Sequence, residues 1–117
     1  MALRCFLQAK IHNATITDAN VNYRGSIAIC PKLLKASGIL VHEQVDVYNV
    51  TNGNRLTTYV IEGKEGEICL NGAAAHKGKV GDKVIIAAYT YLEPKEIEAH
   101  KPTVVIVGKD NKIEEIL

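Results

Sequence analysis

The stretch Val45-Asp46-Val47-Tyr48-Asn49-Val50-Thr51-Asn52-Gly53-Asn54-Arg55-Leu56-Thr57-Thr58-Tyr59-Val60-Ile61 decides the fold class. Two β-rich runs, Val45-Asp46-Val47 and Leu56 to Ile61, flank Asn52-Gly53. An Asn-Gly pair between such runs signals a hairpin, because both residues tolerate positive φ. Outward from it, alternating Leu3, Cys5 and Leu7 predict a first strand, and His12 to Thr17, Val21 to Ile29 and Gln44 to Val50 carry further alternating or β-rich stretches. Val84 to Tyr91 and Thr103 to Val107 read as buried strands, and Asp110-Asn111 turns into a last one at Ile113 to Leu117. Pro31, Leu33, Leu34 and Gly38 mark a short helix by the Pro-first, Gly-last asymmetry, and Ala73-Ala74-Ala75 can begin another. Six to eight short strands with two helical turns make a mainly β chain, whose open edges are best managed by closure into a small barrel.

At 117 residues and 47% hydrophobic content the chain is long enough for one core and too short for two ordinary domains. The formal charge is +1 and the lysines are scattered singly, which removes the electrostatic footprint of a nucleic-acid binder. Trp is absent and Phe6 is the single Phe, so stacking platforms would rest on the five tyrosines. No apolar run approaches the roughly 20 residues of a membrane helix, and Met1 to Lys10 lacks signal-peptide character, so the expectation is a cytoplasmic protein without a membrane partner. Cys5, Cys30 and Cys69 are odd in number and form no CxxC pair; they read as small buried hydrophobes. His12, His42, His76 and His100 offer no metal-ligand spacing, and no metal is expected. Anionic small molecules remain suitable ligands, since two or three well-placed cations suffice for them.

Asn22-Tyr23-Arg24-Gly25-Ser26 is the chemically suggestive segment. A serine hydroxyl can reach back to the carbonyl of its preceding residue through a five-membered ring, and a glycine there leaves room for the attacking oxygen. An N-to-O acyl shift would turn the Gly25-Ser26 amide into an ester. β-Elimination would then free the Gly25 carboxylate and leave dehydroalanine, which loses ammonia on hydration to become a pyruvoyl group. Taken alone, the dipeptide is an ordinary Gly-Ser turn or strand residue.

Four stretches give it a context: QAKIH (Gln8 to His12), NYRGS (Asn22 to Ser26), NVTNGNRLTTY (Asn49 to Tyr59) and NGAAAH (Asn71 to His76). In order and spacing they resemble the aspartate 1-decarboxylase family, and VGDKVIIAAY (Val80 to Tyr89) continues the likeness. The resemblance runs from about Leu3 to Tyr91 and fades over the last 25 or so residues. It implies a six-stranded double-psi β-barrel with short helices, a homotetramer with active sites between neighbouring subunits, and self-cleavage into a β chain 1–25 and an α chain 26–117. Arg24 stands where many relatives have Glu, and Tyr48 where many have Trp.

The resemblance also implies roles. Ser26 becomes the pyruvoyl cofactor, and L-aspartate, held as a Schiff base, loses its α-carboxylate to give β-alanine for pantothenate and coenzyme A synthesis. Arg55 and Lys10 clamp the side-chain carboxylate, Arg55 through its planar fork. Thr58 bonds the oxygen of the cleaving Gly25 carbonyl. Tyr59 is the proton donor. Asn71, Gly72, Ala73 and Ala74 form a loop whose amide and backbone groups touch substrate or the pyruvoyl. His12 and His76 receive no catalytic step. On their own, Thr58 and Tyr59 are ordinary strand residues, and Lys10 and Arg55 ordinary surface charges. The competing readings are a pyruvoyl decarboxylase of another acidic amino acid and a non-catalytic β-barrel binding module.

Overall fold

The structure, a computed structural model, describes residues 2–117. The chain is mainly β. Among the described residues nine strands form one sheet: β1 (Arg4–Thr15), β2 (Asp18–Asn20), β3 (Ser26–Ile29), β4 (Gln44–Asn49), β5 (Arg55–Glu62), β6 (Ile68–Asn71), β7 (Lys83–Leu92), β8 (Thr103–Val107) and β9 (Ile113–Ile116). Their spatial order is β2-β6-β3-β5-β4-β7-β1-β8-β9. Helices are few and short: α1 (Pro31–Ser37), α2 (Pro94–Ile97) and 3₁₀ turns at Gly72–Lys77 and Lys109–Asn111. This architecture is compatible with a small barrel.

The hairpin forms as β4 and β5, antiparallel with Val45 opposite Thr58 and Tyr48 opposite Arg55. Its loop is wider than a two-residue turn. Gly53 takes φ +79°, whereas Asn52 keeps negative φ and instead offers its side-chain oxygen to the amide of Asn54 at 2.8 Å. Asn49 ties the loop down, its Oδ1 accepting from the amides of Thr51 and Asn52 at 2.9 and 3.1 Å. Helix α1 starts on Pro31 and ends at Gly38 in the left-handed region, as its sequence predicts.

Period-two alternation places the core. Ala9, Ile11 and Ala14 of β1, Val45 and Val47 of β4, Ile68 and Leu70 of β6 and Val84, Ile86 and Ala88 of β7 point inward, with Ile27, Leu33 and Val60, into one apolar cluster. Ala28, Cys69 and Ala87 are buried too, but on the opposite face, outside that cluster.

Several expectations need correction. Val21 to Ile29 is not one strand: residues 21–25 form a loop between β2 and β3. The runs at Leu3 and His12 belong to one long strand, β1, which bends at register shifts where Asn13 adopts φ 71°. Strand β6 and helix α2 went unforeseen. Among the cysteines Cys30 and Cys69 are buried, but Cys5 is exposed near the start of β1.

Candidate active site

Ser26 opens β3 and is 1% exposed, whereas the five residues before it are all exposed. The chain therefore passes from solvent to interior at the Gly25-Ser26 bond. Strand β3 runs antiparallel to β6 with Ser26 opposite Asn71, and parallel to β5 with Ile27 beside Val60. That register delivers the Asn71 amide to the serine: Nδ2 donates to Ser26 Oγ at 3.1 Å. The hydroxyl itself donates weakly to the Arg24 carbonyl at 3.4 Å. Cys69, two residues before Asn71 on the same face of β6, donates its thiol to Asn71 Oδ1 at 3.2 Å.

Gly72 follows with φ +62°, and a Cβ there would lie 2.6 Å from the nitrogen and 2.7 Å from the Cα of Gly25. Only glycine allows so close an approach of two backbones. Next to this crossing a cavity of about 400 Å³ is lined by Gly25, Leu56, Thr57, Thr58, Tyr59, Ala73, Ala74 and Lys77. Five expected residues, Gly25, Thr58, Tyr59, Ala73 and Ala74, thus meet at one concavity. Asn71 and Cys69 line a second one of about 390 Å³, together with Asp18, Asn20, Tyr23 and Glu67.

Arg55 and Lys10 lie outside both. Arg55 is exposed at the start of β5, its guanidinium carbon 4.5 Å from the centre of the Tyr48 ring, a cation–π contact. The Tyr48 hydroxyl lies 2.8 Å from that of Tyr89 and 3.4 Å from Asp46 Oδ2, while Thr57 donates to Asp46 Oδ1 at 2.7 Å. The Tyr48 phenol is held above the ordinary phenol range, first by the hydrogen bond with Tyr89 and then by burial. Lys10 on β1 pairs with Ala87, Ala87 with Asp46, and Asp46 with Thr57, so Lys10 shares an outer face with Arg55, Thr57 and Tyr59. Three strand spacings separate Lys10 from Thr57, about 14 Å.

Sequence reasoning missed Cys69, Lys77 and the Asp46–Tyr48–Tyr89 set. Once β6 is known, period two puts Cys69 beside Asn71, but the four-residue run does not announce itself as a strand; NGAAAH runs directly into Lys77. Of the histidines, His76 is exposed, and His12 has a buried Nδ1 without a hydrogen-bond partner among the described residues. No cluster of three or more His, Cys, Asp or Glu able to hold a metal exists among the described residues. Nor is any described helix long and apolar enough to cross a membrane.

A buried serine after an exposed glycine, an amide aimed at its oxygen and an adjoining cavity define a site built around one backbone bond. Residues 1–114 match the family described as Aspartate decarboxylase. The chain is 57% identical to the aspartate 1-decarboxylase of Bdellovibrio bacteriovorus, over 93% of this chain and 88% of that one. It is 53% identical to that of a Hydrogenobaculum species, over 97% and 90%, and 50% identical to that of Legionella pneumophila, over 99% and 89%. The chain belongs to the aspartate decarboxylase family. The likeness does not stop near Tyr91, as the motifs alone suggested, but continues through β8 and into β9.

Proposed function

We propose that the chain is made as a precursor that cuts itself between Gly25 and Ser26, and that residues 26–117 then begin with a pyruvoyl group formed from Ser26. The activity is that of its family, a carboxy-lyase reaction that converts L-aspartate to β-alanine and CO2 and so feeds pantothenate and coenzyme A synthesis. One observation carries the self-cleavage: Ser26 is buried directly after an exposed glycine, and its oxygen faces the Asn71 amide rather than water.

The residues fit the group. Gly72 brings its backbone against Gly25, and the cavity beside them leaves room for a small substrate. When present, the pyruvoyl group would supply a ketone to which a substrate amine can attach and a sink for the electron pair left as CO2 departs. The chain's own side chains do the rest. Thr58 donates to the Gly25 carbonyl oxygen as attack by Ser26 Oγ builds negative charge there. Arg55, steadied on the Tyr48 ring, holds the side-chain carboxylate of aspartate, which leaves the α-carboxylate free to go. Asn71, Gly72, Ala73 and Ala74 line the reacting end, and Tyr59 delivers a proton to the carbon that lost CO2.

Lys10 assists Arg55 from a neighbouring copy, because the spacing across β4 and β7 keeps the two apart within one protomer. That separation fits sites shared between subunits, in the homotetramer of cleaved, cytoplasmic protomers that the family resemblance implies. The test is intact mass under denaturing conditions after warm incubation. Fragments 1–25 and 26–117 are expected, the larger one resistant to Edman degradation. A single persistent chain would sink the proposal.

A further inference from the structure

We propose that Cys69 is a positioning residue for self-cleavage: its thiol fixes which end of the Asn71 carboxamide faces Ser26. The inference rests on the self-cleavage reading above and deepens it. Cys69 and Asn71 alternate with Ile68 and Leu70 along β6, so that Ile68 and Leu70 fill the core and the other two face the strand's polar side. All four are buried. Opposite Cys69 on β3 stands Ala28, whose small side chain leaves the thiol free to turn along the strand.

A carboxamide has an accepting and a donating end of nearly equal shape, and its surroundings decide between them. Here the thiol donates to Asn71 Oδ1 at 3.2 Å, and its other acceptor, the Leu70 carbonyl, is farther at 3.8 Å. Among the described residues no other group donates to Oδ1. Burial, followed by the nearby Asp18 and Glu67 carboxylates, pushes the Cys69 thiol up to about 11, so it keeps its proton. A protonated thiol is a usable donor and a poor acceptor. It therefore favours Oδ1 on its own side and sends Nδ2 to Ser26 Oγ. The reversed amide would aim its NH2 at sulfur and its oxygen at the serine.

The two orientations act differently on the two covalent steps. In the acyl shift, Ser26 Oγ bonds to the Gly25 carbonyl carbon, the Gly25–Ser26 C–N bond breaks, and the hydroxyl proton ends on the Ser26 nitrogen. In the elimination, the Ser26 Cα proton passes to water, the Cβ–Oγ bond breaks, and Oγ leaves as part of the Gly25 carboxylate. Negative charge grows on Oγ in this second step. An N–H aimed at Oγ stabilises it, whereas a carbonyl oxygen aimed there opposes it. Loss of the thiol therefore slows elimination more than the acyl shift, and ester accumulates.

The experiment follows freshly purified parent, Cys69→Ala and Cys69→Ser precursors by intact mass, with and without hydroxylamine, which cuts esters and spares amides. Release of residues 1–25 is expected to slow about three- to tenfold in Cys69→Ala, the effect of one net hydrogen bond on a barrier. The hydroxylamine-labile share of uncleaved chain rises with it, a signature that general loosening of the fold would not give. Cys69→Ser, which restores a donor, is expected within about twofold of the parent. Thermal melts run alongside, and Cys69→Val, similar in volume but without a donor, replaces the alanine variant if that one fails to fold. Parent-like release in the donor-less variant, or a serine variant as slow as it, overturns the role of Cys69 alone. A parent chain that never yields fragments overturns self-cleavage itself.

Discussion

Asn49 and Asn71 are 3% and 4% exposed, each the last residue of its strand, and each directs its side chain at atoms of other residues. Their surroundings differ. Asn49 is saturated: Oδ1 takes two loop amides, while Nδ2 reaches the Asp82 carboxylate at 2.9 Å and the Lys77 carbonyl at 3.3 Å. Asp82 in turn accepts from the Lys79 amide at 3.1 Å. Among the described residues Asn71 has only a thiol on one end and a hydroxyl on the other. A charged, fully bonded cluster holds a loop in one place, whereas a sparse, neutral one leaves serine lone pairs available for bond making. On the proposed self-cleavage, two buried asparagines in one sheet thus divide stability from chemistry.

The sharpest break between the two regions is Ser26→Ala. It is expected to abolish scission and turnover together while leaving the melting temperature close to that of the parent; decarboxylation retained by this variant would rule out a Ser26-derived cofactor. Next comes Tyr59→Phe, which keeps the ring and deletes the phenolic proton. Cleavage should proceed, and β-alanine formation should fall about 10²- to 10⁴-fold, the loss of a positioned general acid. Thr58→Val, by contrast, should slow scission, so a gel time course beside a β-alanine assay separates the two roles. Arg55→Ala should cleave normally and lose about 30-fold to several thousand-fold in kcat/KM, as when one partner of a desolvated charge pair is removed. A value within about twofold of the parent would leave Arg55 a plain surface charge.

The smallest effect tests the other asparagine. Asn49→Ala should still cleave but lose about 1–3 kcal/mol of stability, the cost of leaving buried polar groups unpaired. The Asp82 carboxyl lies below the usual carboxylate range, first because Asn49 donates to it and then because of the Lys79 amide. A depressed folded-state value means that this contribution is present above the unfolded carboxylate value, about 3.9, and is lost as pH falls through the folded one. Melting curves from pH 6 down to pH 3 should therefore show a steeper acid loss for the parent than for Asp82→Asn. Equal slopes would detach Asp82 from acid stability.

Much of this was legible in the sequence where the signal is local. The β4–β5 hairpin, the Pro31–Gly38 helix and strand β8 follow from turn chemistry and period-two patterning within a few residues. Strand β6 did not, because four buried residues between Glu67 and Gly72 are too short a run to show a period. Tyr23 and Arg24 look strand-like by composition, yet they belong to the loop that brings the chain to Ser26. The pairing of β3 with both β5 and β6 is a non-local choice that no window of sequence contains. For the same reason the Gly25 cavity gathers Thr58, Tyr59, Ala73 and Ala74 as the family motifs imply, while Lys10 sits strands away on the outer face.

The position of the Gly25-Ser26 bond in the sheet also bears on how the protein can fold. Everything before it includes β1, which lies between β7 and β8, and β2, which pairs with β6. Cutting the chain at that bond leaves the 25-residue piece held by ladders on both sides, so it can depart only when the sheet itself comes apart. Before any cut, each protomer folds as a single polypeptide, a first-order step that precedes assembly. Once cut, the same native state has to be regained by two separate polypeptides meeting, a second-order reaction that slows with dilution and competes with aggregation of the larger piece. Scission at that bond would thus make refolding of even one protomer a meeting of two chains, with a yield after denaturation that falls more steeply with dilution in the cut form than in the uncut one.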